Sequence, residues 1–317
     1  MMAATTSTTA KLVLLLVLFA GILASFALYE PRFLQPSLAS TVLQFASMLA
    51  LVALGQTLIV LAGGAGIDLS VGGMVSLSAI LTMMAMSAGV PEAVFPLVPV
   101  VIGALLGAVN GVLVTKIRIL PLIATLGTLF VFGGLAMALT GGASLSGVPQ
   151  WLVPFGRGNL GGVPWHVLVL VVPAYLAVAG MLTFTPWGRW FYAMGHNERA
   201  ARLVGIDVDR IRFLAYVLSG ALSGLAALVS LAWFGSGRPN IGQNLELESL
   251  AAVLLGGVAI FGGAGGVLGV LVAVLMIVTL KTGLQFINVS AVWQVGIVGA
   301  LLLLVLLVDL IPIRRRS

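Results

Sequence analysis

The sequence contains no cysteine, which removes disulfides, thiol catalysis and thiolate metal sites together. Charge is almost as scarce, at 8% of 317 residues, and there are two histidines, His166 and His196. Two histidines without cysteine make a poor ligand set, so no metal site is expected. Both fall in loops expected on opposite sides of a membrane, which excludes a Ser/His/Asp arrangement. A nucleotide-binding loop is missing too. Its nearest approach, Lys281-Thr282, follows Leu280 where glycine is required, inside an apolar run. No catalytic residue is therefore expected. Energised work by this chain would draw on a partner or on an ion gradient.

Apolar sequence dominates what is present. Hydrophobic residues make up 61% of the chain and the mean hydropathy is +1.21, far above that of a soluble domain. Ten apolar segments emerge, roughly 12–28, 41–61, 70–88, 96–115, 121–140, 165–184, 213–234, 248–261, 264–284 and 290–310. Most approach the ~20 residues that a helix needs to cross hydrocarbon, and they are continuous rather than alternating as in a barrel. The eighth is short and reads as a broken or tilted element. The sequence leaves open whether 62–70 and 246–265 are re-entrant. The first run, Leu12 to Leu28, lacks a clean small-residue cleavage site after it and reads as a retained span.

The expected class is thus an all-α polytopic membrane protein of about ten transmembrane helices. A single domain covers 12–310, between an N-terminal tail (1–11) and a basic tail (311–317). With the N-terminus inside and ten crossings, the inner side receives Lys11, Lys116, Arg118, five arginines of 186–212 and three of the tail. The outer side receives only Arg32, Arg157, Arg238 and Lys281. This asymmetry places both termini in the cytoplasm, and it explains the net charge of +6 without nucleic acid.

Small residues mark helix packing: Gly103, Gly107 and Gly111 share one face of the fourth span, as do Gly220 and Gly224 of the seventh. The string G-G-A-G-x-x-L occurs at Gly63 and again at Gly262. Polar residues inside spans are Gln44, Gln56, Asn110, Thr125, Thr128, Thr279, Gln285 and Gln294. For any one of them interhelical hydrogen bonding is the simpler role, while together they suit the lining of a path for a hydroxylated solute. Asp68 has two readings as well. It is a cap for the helix that follows, or an intramembrane acid that couples an ion or works a hinge.

The long polar interruption, Pro186 to Arg212, holds a short helix with marked ends. Asn197 is the N-cap, Glu198 lies in the first turn and Gly205 is the left-handed C-cap. Asn197, Ala200, Ala201 and Val204 share a face with a small-residue centre, while Arg199 and Arg202 project elsewhere, towards acidic partners or lipid phosphates.

Four stretches together resemble the membrane-spanning permeases of ribose-type ABC importers, a group serving ribose, xylose, galactose, rhamnose and autoinducer-2. They are Ile67-Asp68-Leu69-Ser70-Val71-Gly72, then Ala124 to Leu129, then Gly188 to Ile206, and finally Glu246 to Val253 with Gly256-Gly257 and Gly262 to Gly265. One departure is visible: the family usually has G-G directly before I-D, and here Ala65-Gly66 intervene.

The resemblance implies a permease that works with a second permease (identical or sister), a cytoplasmic ABC ATPase and a periplasmic sugar-binding protein, in the lipid of the bacterial inner membrane. It implies no cofactor in this chain, ATP and Mg being held by the ATPase. Coupling residues carry over as Gly188, Arg189, Gly195, Asn197, Glu198, Ala200, Ala201 and Gly205, with Ala200 and Ala201 expected to meet the ATPase. Asp68, Ser70, Gly72 and Glu246 are gate or hinge candidates, and Gln56, Asn110, Thr125 and Thr128 are translocation-path candidates. The alternative is an ion-coupled secondary transporter using Asp68. A membrane receptor or scaffold is disfavoured by the lack of an extended soluble domain.

Overall fold

The computed structural model describes residues 2–30, 33, 35–290, 292–294, 296–297 and 299–300. Its elements are α1 (Met2–Tyr29), α2 (Pro36–Leu61), α3 (Val71–Ser87), α4 (Val98–Thr115), α5 (Pro121–Thr140), α6 (Leu152–Arg157), α7 (Val172–Phe184), α8 (Pro186–His196), α9 (Glu198–Leu203), α10 (Val208–Phe234), α11 (Leu245–Leu255) and α12 (Val267–Phe286). Two small ladders join β1 (Leu145–Ser146) to β4 (Ser236–Gly237) and β2 (Asn159–Leu160) to β3 (Val163–Pro164).

Among the described residues seven helices are long and apolar enough to cross a membrane, counting α7 together with the π-helical turn Val167–Val171 that leads into it. That wide turn precedes Pro173, which offers no amide to the carbonyl four residues back. Helix ends follow their local chemistry. Prolines open α2 and α5, Asp207 caps α10 by accepting from the Arg210 amide, and left-handed glycines Gly141 and Gly235 close α5 and α10. Nine of the ten apolar segments correspond to helices, and the tenth, 290–310, lies mostly outside the described residues.

α10 and α2 form the centre. α10 packs most extensively on α4, and the glycine faces meet there: a Cβ on Gly103 or Gly107 would run into the backbone of Tyr216, Gly220 and Gly224. Such close approach replaces the hydrophobic drive that lipid does not supply. α1 lies outermost, on α12, with the Phe26 ring over Gly283.

α3 and α11 fall short of a full crossing, at 17 and 11 residues. A non-helical stretch of turns, lying inside the bundle, precedes each. Before α3, Asp68 and Ser70 are completely buried. Before α11, Gly237 lies against Met83 and Ala79, and the Gly242 amide donates to Ser76 Oγ at 3.0 Å. Both stretches therefore re-enter the bundle, and they end together: Gly72 of α3 abuts the Gly242 backbone and the Glu246 carboxylate.

Loops segregate to two ends. At one, Gly63, Gly195 and Gly262–Gly263 are in mutual contact, and the Gly263 amide donates to Leu61 O at 3.1 Å. At the other, β1 pairs with β4, Arg157 Nε donates to Trp233 O at 2.9 Å, and Gln44 Nε2 donates to Gly156 O at 2.9 Å. The repeated G-G-A-G string is thus two loops that pack on each other, since backbone can approach backbone only where side chains are absent.

Candidate functional site

The polar interruption folds as two helices, α8 and α9, at the glycine-packed end. Thr185 caps α8 through the Gly188 amide, and Asn197 caps α9 by accepting from the Ala200 amide at 3.0 Å. α9 closes as its sequence predicts. Gly205 has φ +85°, its amide donates to Arg202 O, and the Ile206 amide donates to Ala201 O, the paired bonds of a Schellman end. Gly188 fits only because it is pressed on the Leu182 backbone. Gly195 is wedged between Leu61 and Gly263, and beside it Tyr192 Oη donates to Gly265 O at 2.9 Å.

The outward face of α9 differs from the expectation. Ala201 is only 3% exposed and turns into the body, whereas Arg199 and Ala200 are exposed and Leu203 and Val204 are 88% and 76% exposed. Ala201 is thus withdrawn from the surface that Ala200 shares, and the exposed face of α9 is Arg199, Ala200, Leu203 and Val204. Helical spacing shows which residues share a face, but the direction of that face depends on where α8 and α10 sit.

Arg202 also corrects the expectation, since its guanidinium is spent within the chain. It pairs with Glu198 at 2.9 Å and Asp209 at 2.7 Å, while Arg212 of α10 pairs with Glu198 at 2.7 Å. The Arg212 hydrogen bond, with help from Arg202, holds the Glu198 carboxyl below its ordinary value. Glu198 so ties α9 to α10, and Arg189 remains exposed. Arg212 also abuts Gly64, at the start of the stretch that leads to Asp68.

The gate and path candidates largely merge into one buried network. Asp68 Oδ1 accepts from the Ser70 amide at 2.9 Å and from Ser70 Oγ at 2.6 Å. Asn110 Nδ2 donates to Ser70 Oγ at 2.6 Å, and Thr128 Oγ1 donates to Asn110 Oδ1 at 2.7 Å. Thr125 Oγ1 brackets the same stretch, donating to Ile67 O at 3.2 Å and accepting from the Leu69 amide at 3.1 Å. With its amide turned so that the oxygen faces the N–H, Gln56 spans the Asp68 peptide, donating to its carbonyl at 3.1 Å and accepting from its N–H at 3.2 Å. Ser219 of α10, which hydropathy gave no reason to single out, donates to Asp68 Oδ2 at 3.5 Å. Asp68 thus acts locally as a turn acceptor ahead of α3, and the network fastens the re-entrant stretch to α2, α4, α5 and α10.

Gly72 and Glu246 stand apart from this network. Glu246 meets Gly72 where the two re-entrant stretches converge, and its Oε2 is buried without a hydrogen-bond partner among the described residues. The intervening Ala65-Gly66 also takes form: Gly63, Gly64 and Ala65 are all left-handed, at φ +69°, +66° and +54°, and Gly66 then packs on Ile59 O. A non-glycine residue in that region is uncommon and carries a cost.

Comparison with known proteins agrees with this architecture. Residues 38–306 match the family model described as branched-chain amino acid transport system / permease component. The chain is 37% identical over 289 residues to the ribose import permease protein RbsC of Bacillus subtilis (strain 168), covering 89% of this chain and 88% of that one. It is 35% identical over 303 residues to RbsC of Escherichia coli (strain K12), covering 94% and 92%. It is 34% identical over 278 residues to the autoinducer 2 import system permease protein LsrC of Photorhabdus laumondii, covering 86% and 82%. No solved structure matches. A match over most of the chain, with relatives aligned nearly end to end, makes this protein a member of the branched-chain amino acid transport system / permease component family.

Proposed function

We propose that the chain is the membrane-spanning subunit of an ATP-driven importer for a monosaccharide or similar polyhydroxylated solute. The observation that carries this reading is the seat of α8–α9: Gly195 lies between the two glycine loops, and Glu198 reaches Arg212, which abuts the stretch leading to Asp68. A push on the exposed Ala200–Leu203–Val204 face therefore bears on the stretch leading to Asp68 and, through Gly263, on the loop that follows α11. The similarity to ribose and autoinducer-2 import permeases supports the solute class and the partners. These are a cytoplasmic ATPase holding ATP and Mg, a solute-binding protein outside the bacterial inner membrane, and a second permease.

Motion would follow as rocking of packed helices rather than deformation of a continuous core. The ten-span topology with both termini in the cytoplasm counts α3 and α11, each with the non-helical stretch before it, as one crossing, and rests on the charge asymmetry and on the segregation of loops to two ends. Asp68 is committed to Ser70, Ser219 and the wall around them, so the geometry lends the ion-coupled alternative no support.

Ala200→Trp and Leu203→Asp test the reading in the reconstituted importer. Both positions are exposed, so insertion should be unchanged while uptake falls at least tenfold and ATP hydrolysis loses its dependence on loaded binding protein. Wild-type uptake and wild-type stimulated hydrolysis in both variants would sink it.

A further inference from the structure

A cavity of about 320 Å³, apolar over much of its wall but carrying a cluster of polar side chains, opens at the end opposite α8–α9. Its walls come from α2 (Phe45, Met48 and Leu49), the last turn of α10, the second re-entrant stretch, the start of α11, the last turns of α12 and Gln294 beyond it. Within it Lys281 Nζ donates to Glu248 Oε1 at 2.6 Å. These residues are 33 positions apart, and Lys281 is the sole charge of α12.

A charged pair in such apolar helices is costly if it faces lipid, so its usual place is a water-filled cavity or a protein contact. The remaining chemistry favours the cavity. Gln243 and Gln285 line it, and neither side chain has a hydrogen-bond partner among the described residues. Trp233 lines it as well, fixed edge-on by Phe45 at 4.8 Å and stacked on Phe234 at 4.6 Å.

We propose that this cavity is a solute site for a neutral, polyhydroxylated ring or polyol, through which the permease selects its cargo a second time after delivery. The lysine and the carboxylate cancel, so the wall carries no net charge and offers no advantage to an ion. Each keeps capacity to spare: the ammonium has further N–H groups, and the second carboxylate oxygen can accept from a hydroxyl. The two amides each donate and accept, and the indole offers an apolar surface to C–H groups. The volume lies at the lower end of the ~300–1,000 Å³ usual for small-molecule pockets. Gln243 is followed in space by a direct link to the interior, because its neighbour Gly242 abuts Gly72 and bonds Ser76. An occupied cavity thus borders the point where the two re-entrant stretches meet.

The proposal rests on the importer reading, and the experiment separates the two. The complete importer is reconstituted and its transported solute assigned by ATP-dependent uptake over a panel of pentoses, hexoses and polyols. Gln243→Ala and Gln285→Ala are then combined; neither amide supports the fold, so thermal stability and dimer assembly should be unchanged. Loss of two ligand hydrogen bonds should raise the half-saturating concentration of loaded binding protein roughly tenfold, or cut uptake to a similar degree at fixed loading, and shift preference among panel members. No ATP-dependent uptake of any panel member overturns the importer reading and the proposal together. Normal uptake and unaltered preference in the double variant overturn only the proposal. So does a variant whose defect is dissociation of the permease dimer, which would make the cavity a subunit contact.

Discussion

Gly195→Ala isolates the mechanical link between α8–α9 and the two glycine loops, the first of which leads to Asp68. Gly195 is helical, so alanine should gain up to ~1 kcal/mol from helix propensity alone. Its Cβ, however, would strike Leu61 O on one side and the Gly263 amide on the other, both backbone atoms that no rotamer change can move. Overpacking of this kind costs about 1–3 kcal/mol, so the steric effect wins and the two glycine loops must part. Gly180→Ala supplies the control, because a Cβ there meets nothing within 4 Å. Unfolding followed by the intrinsic fluorescence of the six tryptophans should place Gly195→Ala roughly 2–10 °C below wild type and Gly180→Ala at or above it. In the reconstituted importer, Gly195→Ala should hydrolyse ATP while uptake falls several-fold. A Gly195→Ala protein with wild-type melting and a wild-type ratio of uptake to hydrolysis would refute the reasoning.

Two further outcomes are expected. Glu198 has a folded-state pKa below its ordinary 4.5, so its contribution is complete above that value and is lost as pH falls through the lowered one. Protease cleavage at α9 should therefore rise below about pH 4.5 in wild type, and in Glu198→Gln be elevated already at neutral pH with a weaker pH dependence, the Asp209–Arg202 pair alone still titrating; an unchanged profile in the variant would remove Glu198 as the tie. The cysteine-free chain also permits single-cysteine labelling with an impermeant maleimide. Cysteines at Ser7 and Arg199 should label only from the cytoplasmic face and one at Ser144 only from the outside, and labelling of Ser7 and Arg199 from opposite faces would overturn the topology.

The sequence by itself determined a good deal. Apolar run length set the spans, because lipid forces every backbone polar group into a helix. Capping residues marked both ends of α9, since Asn197 and Gly205 act on the turns beside them. The paired glycine faces of α4 and α10 were legible for the same reason, spacing along one helix being a local property. Asp68 and the path candidates were visible as polar residues in oily surroundings, and Ser70, Gly72 and Glu246 through the family motifs, although their partners were not.

Tertiary structure decided everything that depends on how one helix is rotated against another. Ala201 shares a face with Ala200 by periodicity, and only the placement of α8 and α10 turns it inward. Glu198 and Arg212 are 14 residues apart and Glu248 and Lys281 are 33 apart, and no local signal pairs them. The two G-G-A-G strings looked like a repeat, and the fold makes them one contact, closed by Gly195. Hydrophobic patterning specifies which surfaces are buried; which buried surfaces meet is fixed only when all the helices pack at once.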